Sequence, residues 1–145
     1  MATAKRDDPY GGYNFIIEID GVQRAGFSEL SGITAENDVI DYREGAAPSL
    51  NVSKLPGLVK YGPVTLKRGF TQNHELWAWR RSIIEGNIQR RNIDVSLRNE
   101  SQQVVLVWRF VEAWISKWNG PALNAKTSEA AIEQIEIVHE GVTFL

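Results

Sequence analysis

Two histidines, His74 and His139, are each followed by a glutamate, and a His-Glu pair opens a familiar zinc-binding helix pattern. That pattern needs a second imidazole four residues after the first, and Ala78 occupies the place behind His74. The chain contains no cysteine, so a lone imidazole has no thiolate to share a metal with, and neither a metal nor a cofactor is expected. Gly57-Leu-Val-Lys-Tyr-Gly62 has the glycine spacing of a phosphate-cradling loop. Pro63-Val64 follows where the lysine and the magnesium-binding hydroxyl should stand, which empties the match. Gly26-Phe-Ser28-Glu-Leu30 lacks the closing glycine of a nucleophile elbow. A pair of carboxylates could do acid–base work, but nothing singles out two of the 18 acidic residues. Arg80-Arg81 and Arg90-Arg91 read as helix-end and surface charge, or as a salt-sensitive protein contact. No enzyme emerges from these residues.

The elements that carry them are those of one modest domain spanning residues 1–145. Sixteen basic against 18 acidic residues leave a formal charge of −2, which argues against a protein that grips nucleic acid through bulk positive charge. A hydrophobic share of 43% with 23% charged residues is ordinary for a folded chain and argues against wholesale disorder. The opening residues lack the apolar core of a secretory signal, so cytoplasmic synthesis and folding are expected. The sequons Asn51-Val-Ser53 and Asn99-Glu-Ser101 then read as chance matches. Val104 to Trp108 is the longest strongly apolar run, far below the ~20 residues of a membrane-spanning helix.

Residues 1–12 are polar and read as a loose arm. Tyr13, Phe15, Ile17 and Ile19 alternate with polar residues up to Asp20-Gly21, a pair suited to a tight hairpin turn, so Val22 to Phe27 should return as the partner strand. Ile33 to Glu44 reads extended and wet on at least one side. Residues 45–63, punctuated by Gly45, Pro48, Pro56, Gly57, Gly62 and Pro63, predict a long loop. Its middle carries Leu50, Val52, Leu55, Leu58 and Val59, which either tuck under the loop as a satellite core or meet another subunit.

Val64 to Arg68 is a further short strand. Asn73 to Glu85 is a helix, with Asn73 as cap, Glu75 in the first turn and Gly86 to end it. Ile93, Val95 and Leu97 alternate cleanly, and Asn99 to Gln102 makes a turn. Gln103 to Trp118 is apolar at both parities and would span ~50 Å if extended, so it must bend, bulge or belong to a sheet larger than one small domain closes. Ser128 to Gly141 fits helix and strand periodicities equally well.

The wording of the sequence is more specific than its periodicities. Phe15-Ile-Ile-Glu-Ile-Asp-Gly21, Gly26-Phe-Ser-Glu-Leu-Ser-Gly32, Tyr42-Arg-Glu-Gly45 and Lys54-Leu-Pro-Gly-Leu-Val-Lys-Tyr-Gly62 open a series that continues in Val64-Thr-Leu-Lys-Arg-Gly69, Leu76-Trp-Ala-Trp79 and Arg90-Arg-Asn92. Trp108-Arg-Phe110, Ala113-Trp114, Lys117-Trp-Asn-Gly-Pro121, Leu123-Asn-Ala-Lys126, Ala131-Ile-Glu133 and His139-Glu-Gly141 complete it. In this order, from about Asp8 to Gly141, the chain resembles the tail tube proteins of contractile phage tails and of phage-tail-like contractile injection systems.

The resemblance implies a mainly β fold, an antiparallel barrel or sandwich with one packed helix, in which residues 128–141 end as a strand. It implies homo-hexameric rings whose inner strands join around a channel, rings that stack into a tube, and a surrounding contractile sheath protein that drives the tube through a target membrane. The implied partners are that sheath, a baseplate hub and spike, terminator or cap and tape-measure proteins, and DNA or protein cargo held without specific binding. The implied location is a phage tail or injection particle assembled in the cytoplasm. Leu50, Val52, Leu55, Leu58 and Val59 would then clasp a neighbouring subunit or ring. Arg80 and Arg81 are candidates to face the sheath, and Glu36, Asp38 and Asp41 to face the lumen. The alternative is a monomeric β-barrel binding module with an apolar pocket, which the five tryptophans permit.

Overall fold

The computed structural model describes residues 8–24 and 26–145, so most of the expected arm lies outside the described residues. In chain order the elements are β1 (Phe15–Ile19), β2 (Val22–Arg24), β3 (Phe27–Ser31), β4 (Ala35–Tyr42), β5 (Ser53–Tyr61), β6 (Val64–Gly69), α1 (Glu75–Ile84), β7 (Arg91–Arg98), β8 (Val104–Asn119), β9 (Ile132–Val138) and β10 (Gly141–Phe144). One sheet runs β2-β1-β7-β8-β9-β6-β3, with β10 also paired to β8, and β4 and β5 form a separate two-stranded ribbon. The pairings are antiparallel throughout.

Alternation decides which residues turn inward. Ile17 and Ile19, Val64 and Leu66, Ile93 and Val95, Phe110, and Ile135 and Ile137 meet in one core, each almost fully buried. Asp20 and Gly21 have φ of 52° and 77°, the left-handed pair that the β1–β2 turn requires. The return strand β2 ends at Arg24, and Phe27 opens β3 instead of closing β2 as expected. Residues 128–141 do contain a strand, β9, paired to both β6 and β8.

β8 shows how one strand can be apolar at both parities. Glu112 adopts φ 52°, and the register with β7 jumps from Ile93–Phe110 to Arg91–Ala113, placing one extra residue in β8. That bulge moves the core face from the parity of Phe110 to that of Ala113 and Ile115, all three buried. A second irregularity between Ile115 and Lys117, against β9, turns Trp118 back toward the core. The long strand therefore bends twice and serves two sets of neighbours.

The helix α1 lays Leu76 and Trp79 into the core beside the second half of β8. Asn73 accepts a hydrogen bond from the Glu75 amide at 3.1 Å, Trp79 Nε1 donates to the Gln89 carbonyl at 2.8 Å, and Gly86, at φ 88°, ends the helix as its position predicts.

The expected loop over residues 45–63 is corrected by β5. Ser53–Tyr61 pairs with β4 from Tyr42–Ser53 down to Ala35–Tyr61, leaving only the tip as loop. Pro56 and Gly57 signalled a loop, but a two-stranded ribbon has an unpaired outer edge on each strand, where a missing N–H costs little. The register shift between Asn37 and Val39 sits opposite Gly57 and Leu58 and absorbs the irregularity.

Candidate functional site

The ribbon stands away from the core. Every residue of β4 is exposed, and so are most of β5. The five apolar residues singled out in the sequence are on its surface: Leu50 is 90% exposed, Leu58 74% and Val59 57%, with Val52 and Leu55 also open. Val39, Ile40 and Tyr42 of β4 join them. The satellite-core reading of this segment is thereby excluded. The tip is held by Arg43, which donates to the carbonyls of Ser49 at 3.0 Å and Ala47 at 3.2 Å.

Both faces of the ribbon carry apolar residues. Ile40 and Leu55 are directly paired on one face, and Val39 opposes Pro56 on the other. Charge is cancelled locally, Asp38 by Lys60 at 3.0 Å and Asp41 by Lys54 at 2.6 Å. The period of a strand puts Glu36 and Asp38 on one face and Asp41 on the other, so the three acidic residues proposed to line a lumen do not share one surface.

The ribbon continues the β3–β6 pair through a joint built on glycine. Gly32 has φ 89°, and a Cβ there would sit 2.7 Å from the Pro63 carbonyl oxygen. The Gly62 amide donates to Thr34 Oγ1 at 3.1 Å, and a Cβ on Gly62 would collide with that same hydroxyl. Gly32→Ala is expected to lower unfolding free energy by about 1–2 kcal/mol, the cost of a left-handed backbone for a residue with a Cβ. Chemical denaturation measures this, and an unchanged midpoint would contradict the joint.

Behind the joint lies His139, 9% exposed, its ring 4.8 Å from that of Phe110 and 5.5 Å from that of Tyr61, the last residue of β5. Its Nδ1 is 3.1 Å from the Gly141 carbonyl. Burial holds its pKa below the usual imidazole value, and the carbonyls of Gly141 and Gly62 offset only part of this. The unfolded chain therefore takes up a proton near pH ~6.5 that the folded chain resists. Stability from the neutral ring is full above that range and is lost as the pH falls through it. The thermal midpoint should drop between about pH 7 and about pH 5, and His139→Phe should flatten that drop. An equally steep profile in the variant would assign the effect elsewhere.

Other candidates are distributed differently. Arg80 turns inward and donates to the Ile115 carbonyl at 3.1 Å, whereas Arg81 stays exposed and pairs with Glu85 at 3.1 Å. Among the described residues no group of His, Asp and Glu could hold a metal, and no helix is long and apolar enough to cross a membrane.

Sequence reasoning missed a buried ionic cluster at the helix N-terminus. Arg68, 3% exposed, donates from Nε to Glu133 at 2.6 Å, from Nη1 to Glu75 at 3.0 Å and from Nη2 to the Asn73 carbonyl at 3.0 Å. Trp118 Nε1 donates to the other oxygen of Glu133 at 3.1 Å, and Arg24 reaches Glu75 at 3.1 Å. The signal was present in the alternation: Arg68 follows the parity of Val64 and Leu66, and Glu133 that of Ile135 and Ile137. The two oppose each other directly in the β6–β9 register.

A core sheet, one outer helix and a projecting apolar ribbon are what comparison with known proteins has to explain. The family described as T4-like virus tail tube protein gp19 matches residues 11–143. The chain belongs to that family. A chain of the extracellular contractile injection system PVC sheath–tube complex in its extended state is 26% identical. It superposes with a TM-score of 0.86 over 96% of this chain and 93% of that one. A chain of the anti-feeding prophage (AFP) tube terminating cap is also 26% identical, with a TM-score of 0.88 over 99% and 95%. Hcp1 from Flavobacterium johnsoniae, at 14% identity and a TM-score of 0.63 over 91% and 94%, shares the fold. A search of curated proteins gave no match.

This tail tube protein is therefore a structural tube component of the phage-tail-like kind, and the mainly antiparallel β fold with one short helix is the one its family membership implies. The monomeric binding module is not favoured, and neither the family nor its structural neighbours point to catalysis.

Proposed function

We propose that copies of this chain close into hexameric rings, that the rings stack into a hollow tube, and that the ribbon formed by β4 and β5 is the clasp between copies. The observation that carries this reading is the ribbon itself. A two-stranded ribbon is marginal alone in water, and among the described residues this one leaves Leu50, Leu55, Leu58 and Val59 exposed. Aggregation would follow unless another surface covers it.

The tube would work as a piston. Its stiffness comes from strand pairing and apolar contact between copies, and its outer surface holds a contractile sheath through contacts weak enough to release. Exposed ion pairs, worth about 0–1 kcal/mol each, suit that task. Arg81, exposed on α1, is the better sheath-facing candidate, because Arg80 is occupied by the Ile115 carbonyl. A channel wall of near-neutral charge would pass cargo without trapping it. If Glu36, Asp38 or Asp41 reaches that wall, Glu36 and Asp38 do so together and Asp41 does not. Neighbours in fold come from sheath–tube, cap and baseplate assemblies, which supports a sheath, a cap and a baseplate as partners here, with hub, spike, tape measure and cargo as further ones. Synthesis and assembly in the cytoplasm, before incorporation into the particle, complete the reading. Native mass spectrometry of concentrated protein tests it: hexamers and their multiples are expected, and a strictly monomeric spectrum at every concentration would count against it.

A further inference from the structure

The ribbon and the core sheet share no strand ladder. Besides the two chain crossings at the glycine joint, a contact at the base of β5 ties them together. The Tyr61 ring meets that of His139 at 5.5 Å and lies over Gly141, where an added Cβ would stand 3.9 Å from Tyr61 Cε2. His139 thus bridges the ribbon base, the turn between β9 and β10, and Phe110 of the core. Its Nδ1–H donates to the Gly141 carbonyl, so in the neutral ring Nε2 carries a bare lone pair. That nitrogen is buried with no hydrogen-bond partner among the described residues. A lone pair tolerates such a place, but a charged N–H does not.

We propose that His139 is an acid-sensitive latch within the chain: its neutral ring holds the Tyr61–Gly62 end of the ribbon against the β9–β10 turn, and a second ring proton releases that end to water. Tyr61 is the titratable side chain whose ring meets it. Charged groups on the surrounding elements are engaged elsewhere or turned outward. Lys60 of β5 is bound to Asp38, Arg109 of β8 to Asp94, and Glu133 of β9 to Arg68. Glu112 and Glu140 are exposed, and Glu136 has the opposite parity on β9. Burial and the two carbonyls of Gly141 and Gly62 therefore govern the ring, and their balance disfavours its charged form in the closed latch. An opened latch exposes the ring to water and restores its ordinary pKa. With that value at ~6.5, the open form gains at most about 25-fold between pH 7 and pH 5. Opening would free the angle at which the ribbon leaves the sheet while the core stays folded. The latch works inside one copy, so it stands whether or not the chain forms tubes.

Hydrogen exchange of the full chain at pH 7 and pH 5, at low concentration and corrected for the intrinsic pH dependence of exchange, tests this. The reporters are the Gly62 amide, which donates to Thr34 Oγ1, and the Glu140 amide, which donates to the Val111 carbonyl. Segments from β7 and α1 report opening of the whole chain. The joint amides are expected to be less protected than β7 at both pH values, and to lose up to about 25-fold more protection at pH 5. In His139→Phe that loss should vanish, and His139→Gln repeats the comparison with a smaller, polar side chain that does not titrate. Joint amides protected as strongly as β7 at both pH values would open only with the whole chain and would overturn the latch. So would joint protection that ignores pH in the native chain, or that falls equally in either variant.

Discussion

Arg68→Met is expected to lower the free energy of unfolding by about 3–5 kcal/mol, among the largest effects of any single change in this chain. The substitution removes the cation that Glu133, 2% exposed, was paired with, and strands a carboxylate in the core. It also removes the bonds from Arg68 to Glu75 and to the Asn73 carbonyl at the start of α1, leaving Glu75 with Arg24 alone, so the helix loses its anchor to β6 together with the charge pair. Arg68→Met combined with Glu133→Leu should recover much of the loss, because an apolar pair of similar volume needs no compensation. Urea denaturation of the three proteins makes the comparison. A loss below about 1 kcal/mol in the single variant would mean that the pair is worth no more than an exposed one.

The second large effect concerns assembly, with folding left intact. Leu55→Glu with Leu58→Glu should leave the thermal midpoint nearly unchanged, because substitutions at open sites usually stay within about 0.5 kcal/mol. Neither side chain is buried in its own chain. Between copies the arithmetic differs. Burying a leucine side chain contributes about 1.5–3 kcal/mol, so two of them account for roughly a hundred- to ten-thousand-fold in affinity between copies. A buried carboxylate would add a further penalty. Negative-stain images of the double variant should show short tubes or none. Long, normal tubes would remove the ribbon from the contact between copies.

How much of this was legible beforehand varied with the physics of each segment. Period-two alternation was enough for β1, β6 and β7, because each buries one face in its own chain. It was not enough for β8, where the bulge at Glu112 exchanges inward and outward parity; no residue in that stretch announces a positive φ. The sequence of β5 reads as loop because Pro56 and Gly57 break strands that lie between two neighbours, and the ribbon has no such position. β9 stayed ambiguous by periodicity, and only the resemblance favoured a strand. The exposed apolar residues at 50–59 were recognisable at once, since hydrophobic side chains with no place in the alternating pattern need a cover. Periodicity does not say that the described residues leave them uncovered. Arg68 and Glu133 are not legible in the sequence, because a charged residue at the end of a strand looks like a solvated one until the register opposes it to its partner.

The proposed tube requires self-assembly through a surface that a single copy leaves bare. Electron microscopy of the purified, concentrated chain, alone and with a terminator or baseplate partner to nucleate growth, tests this most directly. Annuli and hollow rods of uniform bore are predicted, and their number should fall when the ribbon carries Leu58→Glu. Dispersed single particles under every salt and partner condition would contradict the account.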